Sequence, residues 1–505
     1  MRVKVATLAV ATLLSATACA GAVDANRAAP DDNLVLVTNQ PNASFDPPLM
    51  RIGPQALYWQ AVYDTLLHTD VRGEPQPGMA SSWSYNESKL DLTLTLRQDI
   101  TFSDGTAFDA AAVKTNFDHF KATPGPNGSM TSAVKSVEVT GPYQVVIHLE
   151  RLDPGLLTNL SSALGAMASP AAIALGNLAV APTGSGPYTL QAGASSTERK
   201  VYQRNSAYID PAAYPFDKLE VQYFADVNPV LNQLKTGQVD AAMVRAGVTE
   251  DLEANGINLI SNSSEWAGML LLDRAGVSVP ALGDVRVRQA LNYAFDREYI
   301  SSVTEGNPVP TAQIFNVDST AYDPALDDYY RYDVEKAKSL LAEAGYGNGF
   351  TLPLPDLSAI LGPAFNSTVN QALNAIGVTV EWQRASPTNM TADIAAGKIP
   401  VTLFQLAANT PWQVITTSVA PNAGFNPLRS QTPELNALID QVRTAADPAA
   451  STAAYRAVNR YVVENAWFVP LFRPAKYFAL TPGITTEYQM TGSVPDLSRF
   501  QPVKK

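Results

Sequence analysis

The stretch L-E-V-Q-Y-F-A-D-V-N-P-V-L-N-Q-L-K-T-G-Q-V-D-A-A-M-V, residues 219–244, decides the fold class. Leu219–Phe224 and Val239–Val244 are short runs rich in apolar and β-branched residues, and both read as strands. Pro229–Thr236 between them has helical spacing, and Gly237 ends it. A strand, a helix and a strand in so short a span imply a parallel pair with a helical crossover. The chain is therefore read as α/β.

The same alternation extends in both directions. Leu34–Thr38 reads as a buried strand, Ala56–Leu67 has helical spacing, and Leu90–Leu96 alternates as a half-buried strand. Ser103-Asp104-Gly105-Thr106 is turn chemistry, and Asp109 can cap the helix carrying Val113 and Phe117. Val137–Leu149 holds two alternating runs split by Thr140-Gly141-Pro142, a hairpin. Further on, Val285–Ile300 and Val334–Gly345 read as helices, the second capped by Asp333 and Gly345. Phe350–Leu354, Val378–Trp382 and Val401–Leu406 read as strands. No repeat period occurs, so mixed α/β lobes are expected. A chain of 505 residues should form more than one hydrophobic core.

With 46% apolar and 16% charged residues, the composition is that of a globular protein. The formal charge of −12 argues against a nucleic-acid partner, which would need a basic face. The first residues have the layout of an export signal. Arg2 and Lys4 are followed by the apolar run Val5–Leu14 and by Ala16-Thr17-Ala18. The apolar run is too short to span a bilayer. Residues 1–18 read as the signal, with Cys19, the only cysteine, at the first mature position. The favoured reading is a lipobox in which the Cys19 thiolate takes the lipid; ordinary cleavage after Ala18 is the other. Residues 19–32 read as a flexible tether, and no internal disulfide is possible.

Seven blocks carry a family resemblance. They are Y-D-T-L-L (63–67), G-E-P-Q-P-G-M-A-S-S-W (73–83), L-T-L-R-Q-D-I-T-F-S-D-G-T-A-F-D-A-A-A-V-K (94–114), T-G-S-G-P-Y-T-L (183–190), D-V-R-V-R-Q-A-L-N-Y-A-F-D-R-E-Y-I (284–300), V-E-K-A-K-S-L-L-A-E-A-G-Y (334–346) and V-P-L-F-R-P-A-K-Y-F-A-L-T-P-G-I (469–484). In content and order the chain resembles the family 5 solute-binding proteins of ABC importers, the dipeptide, oligopeptide and nickel-chelate group. The resemblance implies a two-lobed periplasmic-binding-protein type II clamp with an inserted subdomain in the first lobe. Lobe I would take 33–47, 180–265 and 476–505, the insertion 48–179, and lobe II 266–475. It further implies capture of a small-molecule or short-peptide solute and its delivery to a cognate ABC permease and its ATPase. The protein would be monomeric, without a cofactor, extracytoplasmic, and held to the membrane by a lipid alone.

The resemblance also directs attention to V-T-L-F-Q-L-A-A-N-T-P-W-Q (401–413). Peptide-binding members place there a carboxylate that pairs with the solute's α-ammonium, and Asn409 stands at that position here. A neutral amide opposite an ammonium forfeits a charge-assisted bond of about 1.5–3 kcal/mol. That shifts expectation toward blocked peptides, oligosaccharides or metal chelates as alternatives to free peptides. Other candidate ligand-binding residues are Met50, Arg51, Arg245, Trp266, Asp273, Trp412 and Gln413. The tryptophans are stacking walls or core residues, and Arg245 lies at a strand's carboxyl end, where α/β proteins hold ligands.

Two alternatives are weighed on their residues. Ser132-Ala133-Val134-Lys135 and Lys235-Thr236-Gly237 match fragments of the serine acyl-enzymes related to penicillin-binding proteins. The first leads into a strand pattern and the second ends a helix, so neither has the required setting. G-Y-G-N-G (345–349) follows a helix and is no dinucleotide fingerprint. His68, His119 and His148, the only histidines, all fall in the expected insertion, which disfavours direct metal ligation.

Overall fold

In a computed structural model, which describes residues 32–226, 228–356, 363–386, 389–408, 410–490 and 492–503, the stretch 219–244 forms strand Lys218–Tyr223, helix Asn228–Thr236 and strand Ala241–Val244. The two strands run parallel but do not touch. Strand Asn33–Thr38 lies between them, pairing Leu34 with Leu219 and Leu36 with Ala241. Strands Arg199–Arg204 and Tyr188–Leu190 extend one side, and Lys476–Leu480 and Asn258–Asn262 the other, completing a seven-stranded sheet. Its two faces follow the period-two rule. Leu34, Leu36, Leu219 and Val221 pack toward the insertion. Val37, Ala242 and Ala479 pack against Val230 and Leu234 of the crossover helix. Gly237, at φ +69°, lets that helix turn back into the sheet.

A second lobe is built on the antiparallel sheet of Val309–Pro310, Phe468–Arg473, Glu265–Leu271 and Val401–Ala407. A parallel pair, Phe350–Asp356 with Val378–Arg384, lies beside it. Helices Val285–Tyr293, Val334–Glu343, Pro433–Thr444 and Pro448–Glu464 bury their apolar faces in the same core. The insertion carries the sheet Ala80–Tyr85, Asp91–Leu96, Gln144–Leu149 and Val134–Gly141, and helix Ala110–Ala122. Asp109 Oδ1 accepts from Ala112 N at 2.8 Å and so starts that helix.

Two local expectations are corrected. Ala56–Leu67 is helical only over Ala56–Trp59. Beyond it, Ala61 O and Val62 O accept from Tyr188 N and Gly186 N, while Leu66 N donates to Gly165 O. The apolar spacing there records burial on several sides, and tertiary partners replace the helical bonds. Val285–Ile300 is two helices, Val285–Tyr293 and Arg297–Val303, because Asp296 caps the second through Tyr299 N at 3.0 Å.

The chain passes between the lobes at 263–264 and again at 474–475. Beside these crossings Lys476 Nζ pairs with Glu265 Oε1, and Gln405 Nε2 donates to Glu265 Oε2. Both charged side chains are largely shielded, at 18% and 16% exposure. The arrangement is a double-crossover hinge with a cross-braced ion pair.

Candidate functional site

Beside the hinge, the insertion and the second lobe face each other across a cleft whose lining includes Ser263 at the first crossing. One chamber of about 1220 Å³ is lined from the insertion by Arg72, Glu74, Tyr85, Lys89 and Asp153, and from lobe I by Asn262 and Tyr488. Lobe II contributes Asp318, Trp412, Arg443, Asp447 and Tyr455. A second chamber of about 590 Å³ is lined by Trp59, Ser132, Arg151, Gln413 and Asp496, among others. Asp153, Gly155, Thr410, Trp412 and Arg443 belong to both walls. A partly polar cavity between domains is where small solutes are bound.

The partition between the chambers is a contact across the lobes. Thr410 caps the short helix Pro411–Val414, its Oγ1 accepting from Gln413 N at 3.3 Å, and this presents the Trp412 ring to the insertion. Trp412 Nε1 donates to Asp153 Oδ1 at 2.9 Å, and Gly155 N donates to the same oxygen at 2.9 Å. A Cβ on Gly155 would stand 2.6 Å from Trp412 Cδ1, so only glycine admits the indole. Arg443 lies over the ring, Cζ 5.5 Å from its centroid, with Nη1 on Asp440. Nearby, Lys89 Nζ reaches across to Ala445 O at 2.8 Å.

Asp153 is half-buried, and burial raises its carboxyl pKa, against the Gly155 and Trp412 donors and the charges of Arg151 and Arg443. Burial also raises the phenols of Tyr85 and Tyr455, with the Asp153 charge adding to it, so both stay neutral donors. The wall thus combines aromatic surface with a few fixed polar groups.

Of the residues singled out in the sequence, Trp412 and Gln413 lie on this wall. Three others have buried side chains with structural partners. Met50 is fully buried, and its carbonyl accepts from Asn127 Nδ2. Trp266 is 1% exposed and packs edge-on against Phe468. Asp273 accepts from the backbone N–H groups of Val277, Ser278 and Val279, closing a turn. Arg51 and Arg245 are exposed and line neither chamber. Asn409 and Cys19 lie outside the described residues. Asp153, Tyr85 and Tyr455 were not singled out; the residue types at Asp153-Pro154-Gly155 are turn chemistry, which carries no signal of a ligand site.

The remaining motifs are absorbed by the fold. Gly105 turns at φ +85°, and Asp104 accepts from Thr106 N. Arg286 pairs with Asp284, while Arg288 donates to the Asn465 and Leu282 carbonyls. Ser132 Oγ accepts from Arg151 Nη2, and Lys235, at a helix end, pairs with Asp251. His68, His119 and His148 contact Asp64, Asp46 and Asp91 respectively. Among the described residues, no three His, Cys, Asp or Glu side chains are grouped to hold a metal.

The sequence profile described as "Bacterial extracellular solute-binding proteins, family 5 Middle" matches residues 74–421. The glutathione-binding protein GsiB of Escherichia coli O1:K1 / APEC is 26% identical over 439 residues, covering 82% of this chain and 83% of that one. Among solved structures, DppA from Helicobacter pylori in complex with peptide STSA superposes with a TM-score of 0.78. It is 22% identical and covers 94% of this chain and 98% of its own. NikA from Brucella suis in complex with Fe(III)-EDTA also gives a TM-score of 0.78, at 23% identity, covering 93% and 99%. These two likenesses establish a shared fold.

Proposed function

Since the chain belongs to the bacterial extracellular solute-binding proteins of family 5, we propose that it captures a peptide or peptide-like solute between its lobes and delivers it to a membrane permease of an ABC importer. The observation that carries this reading is the cleft, whose walls come from both lobes and the insertion and which adjoins the double crossover between the lobes. Such a cleft can bury a solute only by closing, and the closed form is what a permease can distinguish from the open one. The relative named for glutathione and the neighbour holding a peptide support a peptide-like solute. The neighbour holding Fe(III)-EDTA supports a second reading, a metal carried within its own chelator.

The role is capture and not catalysis. Ser132 receives a hydrogen bond from Arg151, a group that cannot take its proton. No described helix is long and apolar enough to cross a membrane. Retention near the permease is assigned to a lipid on Cys19, with residues 19–32 as the tether, and the protein acts as a monomer outside the cytoplasm.

Native mass spectrometry of protein purified without denaturation, with thermal-shift panels of peptides, glycans and chelates, tests the proposal. A stoichiometric solute that raises the melting temperature is expected. Failure of every class to stabilise the protein, with acylation of Ser132 by a β-lactam, would overturn it.

A further inference from the structure

We infer that Asp153 is a ligand-reading carboxylate, which takes a primary ammonium group of the solute on its Oδ2 atom. The inference rests on the solute-capture reading. It concerns a residue of the insertion that was not among the sequence candidates.

The imbalance at this carboxylate is the starting point. Its two protein donors, Trp412 Nε1 and Gly155 N, converge on Oδ1. Oδ2 accepts no hydrogen bond from the described residues, although the side chain is half-buried on the wall shared by both chambers. Nor does any described basic side chain form an ion pair with it. The two nearby guanidiniums act on it through charge alone and make their hydrogen bonds elsewhere, Arg151 Nη2 to Ser132 Oγ and Arg443 to Asp440. A carboxylate partly drawn from water without a bonded cation is destabilised, and a cation entering the cleft relieves that cost. Tyr85, Tyr455 and Trp412 line the same chamber and suit the apolar and cationic parts of such a solute.

The site is assembled only when the lobes meet. Asp153 belongs to the insertion and Trp412 to the second lobe, 259 positions away. The indole holds Oδ1, which orients the carboxylate and leaves Oδ2 for the solute. Trp412 is thus a positioning residue, and closure and recognition share one contact. Asp153 supplies a carboxylate from the insertion, so free-amine peptides return to the expected cargo.

The test compares a random tripeptide mixture with the same mixture N-acetylated, using native mass spectrometry and calorimetry on the whole chain. The wild type should favour free-amine peptides by about tenfold or more, the weight of one charge-assisted hydrogen bond. Asp153→Asn keeps the side-chain volume and an acceptor for Trp412, and should remove that preference while leaving the melting temperature close to wild type. Trp412→Phe keeps the carboxylate but releases its orientation, and should reduce the free-amine preference without abolishing it. A wild type without amine preference, or a D153N variant that keeps it, overturns the inference and leaves solute capture standing. A wild type that retains neither mixture overturns peptide capture, and this inference with it.

Discussion

The hinge and the mouth of the cleft both join the lobes, but by different physical means. At the hinge, two covalent crossings lie beside a shielded Glu265–Lys476 pair, with Gln405 on the second carboxylate oxygen and Ser264 O accepting from Ala408 N at 2.7 Å. At the mouth, the described hydrogen bonds come from two side chains, Trp412 to Asp153 and Lys89 to Ala445 O and Ala446 O, beside the packing of the indole on Gly155. Each such bond is worth about 0.5–3 kcal/mol, the larger values applying where a charged group takes part. The lobes can therefore separate at the mouth for little free energy while the hinge stays intact. A clamp needs that asymmetry, and it can be attacked from both sides.

The largest effect is expected at the hinge. Glu265→Ala strands Lys476 in a shielded site and should cost about 2–4 kcal/mol, because breaking one side of a buried pair leaves an uncompensated charge. A urea titration reads this directly, and a loss below about 0.5 kcal/mol would place the hinge on a par with a surface pair.

Gly155→Ala comes next. The added methyl meets Trp412 and should penalise the closed form by about 1–3 kcal/mol. The fold should survive, since the strain is released by opening, so solute affinity should fall more than thermal stability does. Equal losses in both would mean that Trp412 is packed as core.

These two variants also mark what the sequence made legible. The crossover at 219–244 could be read because strand, helix and Gly237 are local signals. The place of Asn33–Thr38 between its two strands could not, since that pairing is set by packing across more than the local chain. Ala56–Leu67 misled because apolar spacing reports burial whatever its source. Asp296 held a cap signal inside Val285–Ile300, and the periodic pattern around it concealed the break. In the site, Trp412 and Gln413 were reached through the resemblance, whereas Asp153 gains its setting from a partner in the other lobe. Met50, Trp266 and Asp273 show the converse: residue types suited to a cleft, used here to fill or close the core.

A smaller effect is expected for Trp412→Phe, and it falls on closure. The ring volume is largely kept and one hydrogen bond to a carboxylate is lost, about 1–2 kcal/mol against closure. Calorimetry should show a roughly tenfold weaker solute affinity with nearly unchanged unfolding. Unchanged affinity would remove this contact from the closure mechanism. The smallest effect belongs to Lys89→Ala, whose ammonium is exposed at the rim, and urea titration should find a change under about 0.5 kcal/mol. A loss several times larger would erase the contrast between mouth and hinge.

Small-angle scattering with and without the retained solute tests the central claim, that the lobes close over a cleft-bound cargo. The radius of gyration should fall when the solute found by native mass spectrometry is added to stripped protein, and Gly155→Ala should blunt that fall. An unchanged radius in the wild type, while calorimetry registers stoichiometric binding, would contradict the clamp.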